Sequence, residues 1–175
     1  MDKFETMISE EEIIQKVKEL GAKISSDYEG ESVVVIGVLT GAFIFTADLV
    51  REITVPVETI DFVSISSYEG DKSTGNFVFK KDISCDIKGK NVLVVEDIVD
   101  TGRTLKKLKE LLMMREPKTL KICTAFDKPS RRVNDLVPDY NCITVPDEFI
   151  VGYGLDYDGR YRQFKDIRIV RKENE

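Results

Sequence analysis

Val92-Leu93-Val94-Val95-Glu96-Asp97-Ile98-Val99-Asp100-Thr101-Gly102-Arg103-Thr104 takes the chain from one secondary structure into another. Val92 to Val95 are apolar and mostly β-branched, which fits a strand covered on both faces in a parallel sheet. Leu105, Leu108, Leu111 and Leu112 then recur at helical spacing, and Pro117 blocks continuation. The chain is therefore expected to leave the sheet at Glu96, with a strand-to-helix loop up to a helix over Leu105 to Arg115.

That loop has a definite chemistry. The open amides and positive dipole end of the following helix favour an anion, most often a phosphate. Gly102 permits close approach, Thr101 and Thr104 offer hydroxyls, and Arg103 adds positive charge. Glu96 and Asp97 would repel phosphate, but they suit ribose hydroxyls, which donate, and Mg²⁺, which takes hard oxygen ligands. The pattern reads as a cradle for a phosphorylated sugar; its plain alternative is a solvated turn in which Asp100 or Thr101 caps a helix.

Outward from this motif, strands and helices alternate. Ser9 to Glu12 form a capping box before a helix with Ile13, Val17 and Leu20 on one face, expected to close at Gly21. Val33 to Leu39 read as a buried strand, Phe43 to Glu52 as a helix, and Val57 to Ile65 and Leu120 to Phe126 as strands. Ile143 to Val145 and Phe149 to Val151 are shorter extended segments. Strand-helix-strand units give a parallel α/β sheet with right-handed crossovers, in which ligands bind outside the carboxyl ends of the strands.

Composition narrows the function classes. With 175 residues, 42% of them hydrophobic and 33% charged, the chain can bury a core as a single domain. No apolar run is long enough to cross a membrane, and Met1 to Thr6 lack signal-peptide character, so a cytoplasmic location is expected. Three scattered cysteines suggest neither a disulfide framework nor a zinc site, and the absence of histidine leaves acid/base work to carboxylates, lysines or tyrosines. The net charge of -6 argues against a nucleic-acid surface as the main function.

The Val92 to Thr104 motif resembles the phosphoribosyl diphosphate (PRPP) signature of type I phosphoribosyltransferases. From about Val33 to Arg162 the chain is similar to the hypoxanthine-guanine branch of that family. The resemblance implies a central parallel sheet flanked by helices. It also implies a small hood from the N-terminal segment and the C-terminal part, and a flexible active-site loop at about 66–80. Ser67-Tyr68 matches the Ser-Tyr pair of that loop, whose closure would exclude water.

Residue by residue, the resemblance assigns Glu96, Asp97, Thr101, Gly102, Arg103 and Thr104 to PRPP and its 5′-phosphate. Leu39-Thr40-Gly41 matches the pyrophosphate loop, often built on a non-proline cis peptide, here Leu39-Thr40. Many relatives carry lysine where this chain has Thr40, so Mg²⁺ and Arg162 are the candidate cations for pyrophosphate. At the purine end, Lys128 would donate to O6, Phe149 would stack on the base, and the Ile150 backbone carbonyl would read its edge. Asp156 lies in the same purine-end segment, Phe149 to Tyr157, and would join Glu96 and Asp97 as a Mg²⁺ ligand. Arg131 and Arg132 fit either a pyrophosphate contact or a solvated basic turn.

The implied reaction is phosphoribosyl transfer from PRPP to N9 of hypoxanthine or guanine, giving IMP or GMP and pyrophosphate, with Asp100 as general base near purine N7. Mg²⁺ is the implied cofactor, and homodimers or homotetramers are the family habit. Two rivals share the motif, a xanthine-preferring enzyme and, in another functional class, an RNA-binding regulator of a pyrimidine operon.

Overall fold

The computed structural model describes residues 3–67 and 77–171. Nine strands and three α-helices are formed there: β1 (Lys3–Ile8), α1 (Glu10–Asp27), β2 (Val33–Val38), α2 (Phe43–Glu52), β3 (Val57–Ser67), β4 (Phe77–Lys81), β5 (Asn91–Val99), α3 (Arg103–Met113), β6 (Thr119–Asp127), β7 (Tyr140–Thr144), β8 (Ile150–Val151) and β9 (Ile167–Arg171). Six strands make the main sheet in the order β4-β3-β2-β5-β6-β7, and β1-β9-β8 make a small second sheet. Every pairing in the main sheet is parallel except β3 with β4.

The continuous apolar runs are explained by burial on both sides of the sheet. On one side Val33 and Val35 of β2 and Leu93 and Val95 of β5 pack with Ile13, Val17, Leu20 and Ile24 of α1 and Phe45 and Leu49 of α2. On the other, Val34, Ile36 and Val38 of β2 and Val92 and Val94 of β5 meet Leu105, Leu108 and Leu112 of α3. Alternate residues of one strand thus feed opposite cores. The small sheet seals the first core with Ile150, Ile167 and Ile169.

Several boundaries differ from the sequence expectation, each for a local reason. The chain does not leave the sheet at Glu96: β5 continues to Val99, because Glu96, Ile98 and Val99 pair with Thr124, Phe126 and Asp127 of a longer β6. Glu96 and Asp97 are therefore strand residues, and the true turn is confined to 100–102. Accordingly α3 starts at Arg103 and ends at Met113 rather than spanning Leu105 to Arg115.

The Ser9 side chain caps α1 by accepting from the Glu12 N–H, as the capping box predicts, but Gly21 does not end the helix. Its role is contact: a Cβ there would lie 2.5 Å from Glu52 Cβ and 2.8 Å from the Glu52 carbonyl. Glycine lets α1 and α2 approach, at a propensity cost of about 1 kcal/mol relative to alanine.

All of β4 but Lys81 lies inside the range expected to be loop. Residues 66–67 and 77–80 instead form strands, with Ser67 paired to Phe77, and Phe79 packs on the α3-side core. Tyr68, expected in the mobile loop, lies outside the described residues, and only the backbone of Ser67 is placed.

Asp61 anchors this arm. Its carboxylate accepts from the N–H groups of Ser84 (2.6 Å), Cys85 (3.1 Å) and Phe62 (2.7 Å) and from Lys81 Nζ (3.1 Å). Burial alone would raise its pKa, but these donors outweigh it and hold the group well below the usual aspartate range. A depressed folded pKa contributes stability above the unfolded value near 3.9 and loses it as pH falls below that. Asp61→Asn is expected to cost about 2 kcal/mol at pH 7 and to flatten the acid limb of urea-unfolding stability measured from pH 6 to pH 2.

Candidate active site

The parallel register brings two strand ends together. Gly37 of β2 pairs with Val95 of β5, so the residues after each strand leave the sheet as neighbours. Leu39 is tied back by its N–H to the Val63 carbonyl at 2.8 Å, and the Leu39-Thr40 peptide is cis. The backbone then passes so close to β5 that a Cβ on Gly41 would lie 1.6 Å from Asp97 Oδ2. Only a residue without a side chain admits the Asp97 carboxylate here.

A third segment closes on the same point. Gly154 has φ +100°, and a Cβ there would lie 2.0 Å from the Gly41 carbonyl oxygen. Arg162 Nη1 donates to the Gly154 carbonyl at 2.6 Å, and Arg162 Nη2 pairs with Asp156 Oδ1 at 2.9 Å. The predicted pyrophosphate residues Leu39, Thr40, Gly41 and Arg162 are thus assembled around Asp97.

Glu96 and Asp97 are adjacent half-buried carboxylates. Loss of hydration raises the pKa of both, and the Asp97 charge pushes Glu96 up further, while Arg162 partly offsets the effect at Asp97. Two acids poorly solvated side by side call for an external cation or donor hydroxyls, which fits Mg²⁺ and a sugar. Asp156, expected as a third ligand, is engaged by Arg162 and by the Gly159 N–H at 2.7 Å. Among the described residues no group of three or more acidic, cysteine or histidine side chains is close enough to hold a metal. Glu96 and Asp97 thus stand as a pair, while the Asp156 carboxylate is turned to Arg162.

Beyond β5, Asp100, Thr101 and Gly102 make the turn. Gly102 has φ +80° as the N-cap of α3 and brings no side chain of its own to cap that helix. Thr101 Oγ1 accepts from the Arg103 N–H at 3.5 Å, and Thr104 sits in the first helical turn. Amides at a helix N-terminus with hydroxyls beside them suit an anion. Asp100 Oδ1 is paired with Arg131 Nε at 3.2 Å, and Arg131 reaches Asp147 at 3.8 Å.

The purine-side residues lie just past β6 and at β8. Lys128 is not a surface lysine but is buried, and its Nζ donates to the Glu148 carbonyl at 2.6 Å. Phe149 is 53% exposed with its ring held edge-on by Tyr157 at 5.3 Å, an exposed aromatic face available to a flat ligand. Ile150 is buried in the core, which leaves only its backbone for recognition.

Sequence reasoning missed the role of Arg132. It is no solvated turn residue: its side chain is 10% exposed and ion-paired to Asp127. The one available signal was Asp127 and Arg132 flanking the Lys-Pro-Ser-Arg turn, a spacing with no periodic meaning.

Sheet, strand-end loops and acid pair together define a type I phosphoribosyltransferase. A phosphoribosyl transferase domain family matches residues 6–158. Hypoxanthine-guanine phosphoribosyltransferase of Streptococcus pneumoniae R6 is 44% identical over 95% of this chain and 93% of its own. Hypoxanthine phosphoribosyltransferase of Salmonella typhimurium is 50% identical over 90% of each chain. A crystal structure of a hypoxanthine-guanine phosphoribosyltransferase from Bacillus anthracis superposes with a TM-score of 0.91 at 50% identity, covering 97% of this chain and all of that one. The chain belongs to the phosphoribosyltransferase family.

Gly41→Ala tests the close approach. The Asp97 carboxylate can rotate away, so folding stability should fall by only about 1 kcal/mol. The displaced acid should lower kcat/KM for PRPP by roughly 100-fold in steady-state assays.

Proposed function

We infer that this chain is a purine-salvage enzyme. It transfers the 5-phosphoribosyl group from PRPP to N9 of hypoxanthine or guanine, releasing pyrophosphate and giving IMP or GMP. The observation that carries this reading is the convergence of Gly41, Asp97, Gly154 and Arg162 beside the Asp100 to Thr104 turn. It occurs in a chain nearly half identical to enzymes named for that reaction.

In the proposed mechanism the amides of the α3 N-terminus, with Thr101 and Thr104, hold the 5′-phosphate. Glu96 and Asp97 accept from the ribose hydroxyls and would hold Mg²⁺. When bound, Mg²⁺ supplies divalent charge that stabilises the departing pyrophosphate. Arg162, beside Asp97 and the Gly41 loop, gives the leaving group the cation that Thr40 lacks.

The C1′–O bond to pyrophosphate breaks as the N9–C1′ bond forms, and positive charge builds on the ribose ring oxygen and C1′. Lys128 Nζ exchanges its carbonyl partner for purine O6, and the base lies on Phe149. Asp100 leaves Arg131 to take the proton lost by the purine through N7. Positioning and charge stabilisation supply most of the rate, and the proton transfer contributes about 100-fold to 10,000-fold.

Assays with PRPP and Mg²⁺ test both levels of this reading. The wild type should form IMP from hypoxanthine and GMP from guanine with one pyrophosphate each. Asp100→Asn should lower kcat by about 100-fold or more while KM for PRPP stays within a few-fold. Undiminished turnover by that variant would remove Asp100 from the role of base.

A further inference from the structure

Arg132 is more deeply engaged than any other arginine near the site. Its guanidinium pairs with the Asp127 carboxylate and donates to the Leu136 carbonyl. It also donates to the Asp100 carbonyl at 3.0 Å and the Val99 carbonyl at 3.3 Å. Its aliphatic arm lies against the phosphate turn, where a Cβ on Gly102 would be 2.7 Å from Arg132 Cδ. Both charged side chains are nearly buried, at 10% and 11% exposure.

These bonds orient the amides of the turn. Two neighbours extend the same pattern: the Lys128 N–H donates to Val99 O at 3.0 Å, and the Val133 N–H to Thr101 O at 3.1 Å. The carbonyls of Val99, Asp100 and Thr101 are thus all drawn toward the 128–133 segment. A trans peptide sends its N–H opposite to its C=O, so the amides of Asp100, Thr101 and Gly102 turn to the other side. Successive amides presented in this way form an anion-binding concavity.

The other end of the arginine reaches the purine side. Asp127 immediately precedes Lys128, whose Nζ lies near the Glu148 carbonyl beside Phe149. One planar guanidinium therefore bonds the turn that would hold the 5′-phosphate and the strand end that presents the purine lysine.

We propose that Arg132 is a positioning residue that fixes the spacing between the phosphate turn and the purine-binding Lys128. The role demands arginine, because four acceptors around one plane match the five-donor fork, whereas lysine is a point donor. The inference rests on the phosphoribosyl-transfer reading above.

Steady-state kinetics of Arg132→Lys and Asp127→Asn test it, with folding checked by circular dichroism and thermal melting. A merely structural ion pair would lower the folded, active fraction and hence kcat per total protein, leaving both KM values unchanged. Positioning predicts that folded variants show KM for PRPP and KM for hypoxanthine both raised by about tenfold, with kcat/KM down roughly 100-fold. Unchanged KM values in a folded variant, or failure of both variants to fold, would overturn the proposal and make Arg132 a core ion pair only. An inactive wild type would instead defeat the phosphoribosyl-transfer reading, and this inference with it.

Discussion

The parallel pairing of β2 with β5 is the constraint on which the rest of the site depends. It sets Gly37 beside Val95, so the cis-linked Leu39-Thr40-Gly41 turn and the Glu96-Asp97 pair emerge side by side. The close approach of Gly41 to Asp97, and of Gly154 to Gly41, follows from that register. A one-residue slip would exchange the apolar side chains of β2 between the two cores and separate the loop from the acids. The two hydrophobic cores therefore specify the geometry of a polar site.

That site carries an unresolved charge problem of its own. Glu96 and Asp97 stand adjacent with raised pKa values, and Arg162 is already engaged with Asp156. Carboxylates so placed suit a cation or donor hydroxyls. The 100–102 turn shows the opposite sign of preparation, with the positive end of α3 and a left-handed Gly102. Anionic and cationic preferences are thus divided along seven residues, from Glu96 to Gly102.

Much of this was legible in the sequence, for identifiable reasons. The doubly buried strands announce themselves as continuous Val, Ile and Leu runs, and α2 as a short amphipathic segment. The candidate site residues lie at strand ends in compact motifs. Contacts that depend on tertiary context were not legible. Nothing in Glu96-Asp97-Ile98-Val99 tells that β6 is long enough to extend β5, and nothing marks Gly21 as a helix crossing rather than a stop. β1 and β9 find each other across most of the chain. Arg132 looks like any arginine in a polar turn until the fold wraps four acceptors around it.

The account is tested most directly by locating bound IMP in a crystal structure of this protein. The 5′-phosphate should lie against the amides of residues 101–104. The hypoxanthine ring should lie on Phe149 with O6 at Lys128 Nζ, and the ribose hydroxyls should meet Glu96 and Asp97. A phosphate bound away from the α3 N-terminus, or a ring out of reach of Lys128, would contradict it.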